Sequence, residues 1–212
     1  MKNLSPDLKL GIGIILLLLV VTTLAVLQRG SEETFPTLSS ISSAPDGALA
    51  LKLWVKELQY KVDEQVLTTF APPEDASILF MLEPLFPTEG EMNAVDEWVE
   101  AGGTLIAIGE NYGMFSLIDH YDFYFSYLPS NDGAPVNETP LLDSPSSLEL
   151  NNAKVRIALA SERDDYVTLV SFQDKPVLVS FEQGKGRVIL GTLTKSFTNA
   201  GLKLPGNFSK GT

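Results

Sequence analysis

Apolar and polar positions along this chain follow three regimes. From Leu10 to Leu27 nearly every position is apolar, with Thr22 and Thr23 the only polar side chains and Lys9 and Arg29 bracketing the run. At helical rise such a run is just long enough to cross the hydrocarbon core of a bilayer, so a transmembrane helix is expected over 10–28. From Ala48 the apolar residues recur at helical spacing, Ala48, Leu51, Val55 and Leu58, with Leu53 and Trp54 widening the stripe. Ser43-Ala44-Pro45-Asp46 ahead of them supplies a capping hydroxyl, an early proline and an acid, which predicts a helix reaching about Tyr60. A second helix is expected from Glu89 to Glu100, with Met92, Val95, Trp98 and Val99 inward. Ala101-Gly102-Gly103 ends it, and a left-handed cap is expected at Gly103.

Short apolar runs make up the rest. Val66–Phe70, Ser77–Leu82 and Thr104–Gly109 read as strands, with Ile78–Leu82 and Leu105–Ile108 continuously apolar as in strands covered on both faces. Helix, strand, helix, strand in that order implies right-handed crossovers and a parallel sheet. The last third is different: Val155–Leu159, Val167–Phe172, Val177–Phe181 and Arg187–Leu190 are joined by turn-forming stretches and predict a β-meander that extends the sheet. The reading is an α/β domain over 44–205, with three layers and a mostly parallel sheet, preceded by a linker at 29–43 and followed by a tail at 206–212. Asn131–Leu148, rich in Pro, Ser, Asn and Asp, reads as an exposed excursion.

Charge changes this picture in two ways. Lys2 and Lys9 precede the apolar run, while Arg29 is followed by Glu32 and Glu33, so the positive-inside rule keeps residues 1–9 in the cytoplasm and the body outside the cell membrane. The rival reading is a cleaved signal peptide, although the run exceeds a usual signal core and continues through Val26 and Leu27. The formal net charge of -12 argues against nucleic acid, where a basic face supplies most of the affinity. The chain contains no cysteine and one histidine, His120, which excludes thiolate chemistry and a histidine-rich metal site. Oxygen-only sites for calcium or magnesium remain open to such a chain, but no particular metal site and no cofactor is expected.

Three segments resemble a known family: Pro45-Asp46-Gly47-Ala48-Leu49-Ala50-Leu51, then Ile78 to Pro84, then Glu97-Trp98-Val99-Glu100-Ala101-Gly102-Gly103-Thr104-Leu105-Ile106-Ala107. Gly184-Lys185-Gly186-Arg187-Val188-Ile189 and Ser196-Phe197-Thr198-Asn199-Ala200-Gly201-Leu202 look like its closing motifs. The family is an uncharacterised prokaryotic one, membrane-anchored, with a flavodoxin-type domain similar to glutamine amidotransferases. The resemblance implies that fold, an anchor, and a protein partner in a membrane assembly. Its members commonly carry a second membrane helix after the domain, whereas this sequence reaches Thr212 without another apolar run. In active amidotransferases a cysteine sits on the sharp turn after the strand that here is Thr104–Ile108. Here that turn reads Gly109-Glu110-Asn111-Tyr112-Gly113, so the resemblance carries the fold without the nucleophile.

Ligands of open α/β sheets bind beyond the carboxyl ends of the strands, which makes Glu83, Glu110, Asn111 and Tyr112 the candidate ligand- or partner-binding residues. Against this, Glu110 and Asn111 could simply cap the following helix. His120, in Asp119-His120-Tyr121-Asp122, has no serine motif to serve and reads as structural, and Tyr121, Phe123, Phe125 and Tyr127 read as one face of a strand or as a sticky surface. The expected function is a membrane-anchored, non-catalytic binding or scaffolding module; the alternative is a hydrolase using Glu110, with or without a divalent metal.

Overall fold

A computed structural model of the chain describes residues 12, 14–23, 35–64, 72, 75–129, 136–137 and 155–203. The chain divides into a short unit, Met1–Phe35, and a large one, Pro36–Thr212. In the short unit residues 14–23 are helical (α1). Among the described residues no helix is long and apolar enough to cross a membrane. The expected transmembrane helix at 10–28, the integral anchor, the cytoplasmic N-terminus and the cell-membrane location are corrected accordingly. The described helical stretch 14–23 spans about 15 Å at helical rise, half of a hydrocarbon core of about 30 Å. Residues 10, 11, 13 and 24–28 of the expected span lie outside the described residues.

The large unit contains helices α2 (Leu49–Glu57), α3 (Glu89–Glu100) and α4 (Tyr112–His120). Its strands are β1 (Ile78–Leu82), β2 (Thr104–Ile108), β3 (Phe123–Tyr127), β4 (Val136–Asn137), β5 (Ile157–Ser161), β6 (Tyr166–Phe172), β7 (Lys175–Gln183) and β8 (Gly186–Gly191). The main sheet runs β1-β2-β8-β7-β6, with the two-residue β4 on its far edge, while β3 and β5 form a separate antiparallel pair. Only β1–β2 and β2–β8 are parallel; β8–β7, β7–β6 and β6–β4 are antiparallel. This corrects the expected three-layer, mostly parallel flavodoxin-like sheet. The hairpin turns after β6 and β7 reverse the chain directly, so half the sheet forms without crossover helices.

Alternation along β2 distributes the core. Leu105 and Ala107 pack with Val95 and Val99 of α3, Met114, Leu117 and Ile118 of α4, and Val179, Phe181, Val188 and Leu190 of the sheet. Ile108 and Ile106 point to the opposite face, against Leu38, Ala48 and Leu51 and beside Leu178, Phe197 and Leu202. A third cluster joins Val155, Ala158 of β5, Val170 and Phe172 of β6, Val177 of β7 and Leu193.

α3 has the bounds its pattern predicts. Thr88 accepts the Glu91 amide while the Glu91 carboxylate accepts the Thr88 amide at 2.7 Å, a reciprocal capping box. The left-handed residue after it is Gly102 (φ 128), one position before the expected Gly103. Gly103 is required for another reason: a Cβ there would overlap the Trp98 indole, whose Nε1–H donates to the Ala76 carbonyl at 3.2 Å. α2 starts at Leu49, later than expected, because 36–48 fold into turns closed by Leu38 N–H to Asp46 O at 2.9 Å and Ala48 N–H to Ser39 O at 2.8 Å. Leu53 and Trp54 are exposed and do not widen its buried stripe. The expected strand Val66–Phe70 lies outside the described residues, as does the Asn131–Leu148 excursion apart from β4.

Candidate functional site

Parallel pairing aligns the carboxyl ends of β1, β2 and β8, because Leu82 pairs with Ile108 and Ile108 with Gly191. The segments that leave these strands therefore meet at one edge: Glu83, then Gly109-Glu110-Asn111, then Thr192 to Ser196. Glu83 N–H donates to Ile108 O at 2.8 Å, and Gly109 N–H to Gly191 O at 3.1 Å, extending the ladder past the strand ends.

Glu83 adopts φ 47, a left-handed conformation that costs a non-glycine residue on the order of 1 kcal/mol or more. That geometry turns its carboxylate toward the neighbouring loop, where both oxygens lie 3.3 Å from the donating Glu110 amide. Glycine makes the approach feasible. A Cβ at Gly109 would stand 3.1 Å from the Glu83 carboxylate, and one at Gly113 would overlap the Pro84 carbonyl.

The four sequence candidates have separate fates. Asn111 caps α4: its Oδ1 accepts Met114 N–H at 2.8 Å and its Nδ2 donates to Pro84 O at 3.0 Å, so the amide is spent on structure. Glu110 does not cap the helix. Burial, reinforced by the Glu83 carboxylate, pushes its carboxyl up to about 7, and the opposing pull of Lys195 and Arg156 is weaker. Part of the Glu110 side chain reaches solvent, but enough protein crowds the carboxyl to disfavour its charge. Tyr112 is 80% exposed and stacks on Phe86 with ring centroids 6.5 Å apart and planes 15° from parallel. Leu85 and Phe115 are exposed on the same two segments, the β1–α3 loop and α4.

Glu110 also lines a small cleft with Val155 and Thr192 to Ser196, of about 10 Å³, room for about one water. These later residues escaped sequence reasoning. The rule that selected Glu110 would have selected them had β8 been recognised as parallel to β2. Among the described residues no group of three or more acidic, histidine or cysteine side chains could hold a metal.

His120 sits elsewhere, at the end of α4. Its Nε2 lies 2.6 Å from Asp96 Oδ2, while Asp96 Oδ1 accepts Tyr121 OH at 2.8 Å and Gln183 Nε2–H at 3.2 Å. Burial and the Asp96 contact push the Tyr121 phenol upward. This hub pins α3 to α4 and β7. On β3 the aromatics divide by face, with Phe123 buried and Tyr124 exposed, and Tyr127 is exposed at the strand's end.

Fold and edge together define a mixed α/β domain with a carboxylate pair, an exposed aromatic stack and a small cleft at the carboxyl ends of its parallel strands. Residues 40–209 match the domain of unknown function DUF4350, and the chain belongs to that family. No curated protein matches it. Among solved structures it is similar to the mmIFT52 N-terminal domain, at 14% identity and a TM-score of 0.50, over 83% of this chain and 88% of that one. It also resembles parts of the exo-β-1,4-mannosidase Op5Man5 from Opitutaceae bacterium strain TAV5, at 16% identity and a TM-score of 0.39 over 60% of this chain. The cytoplasmic protein STM3548 from Salmonella typhimurium matches at 12% identity and a TM-score of 0.39 over 56% of this chain. The match spans 22% of the mannosidase and 60% of the Salmonella protein. At 14% identity the likeness to the mmIFT52 domain speaks to fold alone.

Proposed function

We propose that this domain is a non-catalytic binding module that docks a segment of a partner protein on the carboxyl edge of β1, β2 and β8. The segment carries a basic side chain among apolar ones. The observation that carries the reading is the exposed Phe86–Tyr112 stack on the same two segments as the Glu83–Glu110 carboxylate pair. Exposed aromatics next to unneutralised charge mark surfaces that gain from being covered by an oppositely charged partner. The amidotransferase likeness adds no acyl-transfer chemistry, since the chain has no cysteine to act as nucleophile.

The test is selection from a displayed random-peptide library on the full chain. Basic-apolar peptides are expected, lost with Tyr112→Ser and weakened by salt. Peptides that bind equally well to Tyr112→Ser, or that are acidic, would sink the reading. A second reading, a hydrolase with Glu110 as general acid or base, draws on the carboxyl pushed up to about 7. Turnover of a chromogenic ester or glycoside panel that vanishes in Glu110→Gln would replace the binding module with that enzyme.

A further inference from the structure

α4 is apolar on both of its faces. Met114, Leu117 and Ile118 are fully buried in the main core. On the outer face Tyr112 and Phe115 stand one turn apart, both exposed, and exposed Asp119 follows a turn later. Neighbouring elements lengthen this stripe at both ends. Phe86 of the β1–α3 loop stacks on Tyr112, and Phe125 of β3 meets Phe115 edge-on with ring centroids 6.1 Å apart. Tyr127, two residues further along β3 and on the same strand face as Phe125, is also exposed. A surface helix normally shows polar residues on its outer face, and one that is apolar all round lies between two layers. Among the described residues α4 has only its inner layer.

Two properties of this face select what would cover it. The first is its make-up: the body of α4 offers side chains and no open main-chain groups, because its amides and carbonyls are bonded within the helix. An extended segment laid there would leave its own main chain unpaired where water is excluded, whereas a helix satisfies its own. Helices also pack through rows of side chains three and four residues apart, the spacing at which Tyr112, Phe115 and Asp119 recur. The second property is charge. Residues 83–91 and 109–127, which bear the stripe, contain Glu83, Glu89, Glu91, Glu110, Asp119 and Asp122 and no lysine or arginine. Cations from other segments reach only its margins: Lys195 and Arg156 pull on Glu110, and Arg163 on Asp122. Glu89 and Asp119 are exposed and form no ion pair among the described residues. An acidic helix, or a surface of anionic lipid, would meet like charge there.

We propose that the docked partner segment is a basic amphipathic helix lying along α4, with its apolar face on the stripe from Phe86 to Tyr127 and its cations at Glu89 and Asp119. The inference rests on the docking reading, gives its segment a conformation, and extends its footprint from the strand edge across α4 to β3.

The test titrates the full chain into fluorescein-labelled peptides of about 14 residues, roughly four helical turns, and follows anisotropy. The first peptide holds equal numbers of leucine and lysine with leucine at helical spacing. The second alternates the same residues strictly, and the third replaces each lysine of the first by glutamate. The first should bind at least about tenfold more tightly than the second and gain helical circular dichroism on binding, while the third stays free. Phe115→Ser and Tyr127→Ser should each weaken the first peptide by about fivefold or more. Tyr127 is exposed, so its substitution spares the fold even where Phe115→Ser disturbs the contact with Phe125. Absence of binding by the first peptide, equal affinity for the first two, or full affinity of the first for both variants overturns the helix while leaving Tyr112-dependent peptide selection standing. Binding of the first peptide that depends on Phe115 and Tyr127 but survives Tyr112→Ser overturns docking at the strand edge and leaves a helix site on α4 and β3.

Discussion

Asp96 on α3 is half-buried and Glu110 after β2 is exposed as a residue, and the surroundings of the two acids are opposite. Asp96 is met by three side chains, His120, Tyr121 and Gln183, from two further elements. Glu110 is met by a second carboxylate, by burial, and by two cations too weakly placed to compensate. The first arrangement converts a charge into a staple. The second leaves a charge without a compensating partner among the described residues, and the hydroxyls of Thr194 and Ser196 are likewise without one. A polar group that is fully answered points to structure, and one that is left unanswered points to a ligand.

That contrast can be broken most forcefully at the answered end. Asp96→Ala should lower stability by about 3 kcal/mol, because it strands the buried Tyr121 hydroxyl and two further partners. Chemical denaturation checks it, and a change within error would mean the hub is ornamental. Asn199 extends the rule to a neutral group. Its Nδ2 donates to Ser42 O at 2.8 Å and to Ala44 O at 2.6 Å, and its Oδ1 accepts Ala50 N–H at 2.7 Å. Asn199→Ala should cost about 2 kcal/mol and first loosen residues 36–50, visible as faster amide exchange there.

The unanswered end should respond with the opposite sign. The Glu110 carboxyl is raised in the folded state from 4.5 to about 7, so the folded protein holds more protons than the unfolded one in that window. Stability therefore falls as pH climbs from about 4.5 to about 7, and Glu110→Gln should flatten that decline. Because the side chain is partly exposed, solvent screening reduces the gain to the order of 1 kcal/mol at pH 8, and it should vanish at pH 4. A variant that is less stable at pH 8 would show that Glu110 is answered after all. The smallest effect belongs to Thr194→Val, which replaces an orphan hydroxyl by a methyl group. It should stabilise by about 0.5 kcal/mol in thermal melts, where the same change at a satisfied hydroxyl would destabilise.

How much of this was legible depended on whether the cause was local. α3 could be bounded because its period, its capping box and its terminal glycines all lie within its own span. The start of α2 could not. Ser43-Ala44-Pro45-Asp46 resembles a cap, but the group that accepts an early α2 amide is Asn199, from the far end of the domain. The sheet's hand and order were equally hidden, since the segment reads as a strand in a meander whether β8 pairs only with β7 or also with β2. The edge rule brought Glu83 and Glu110 together correctly in space, through strands that were read as parallel. It misses Thr194 and Ser196 because a meander strand gives no sign in its sequence that it also pairs in parallel with β2.

The position of β8 has a kinetic side. It is the last strand among the described residues and it sits between β2 and β7, joining the parallel half of the sheet to the antiparallel half. Until it arrives, β2 and β7 each present an unpaired edge flanked by apolar side chains, the kind of edge that recruits other chains. On a ribosome that interval lasts until residue 191 has cleared the exit tunnel. Assembly of this domain is accordingly a late, long-range event, and a chain stopped short of Gly186 should stick to its neighbours where a complete one folds alone.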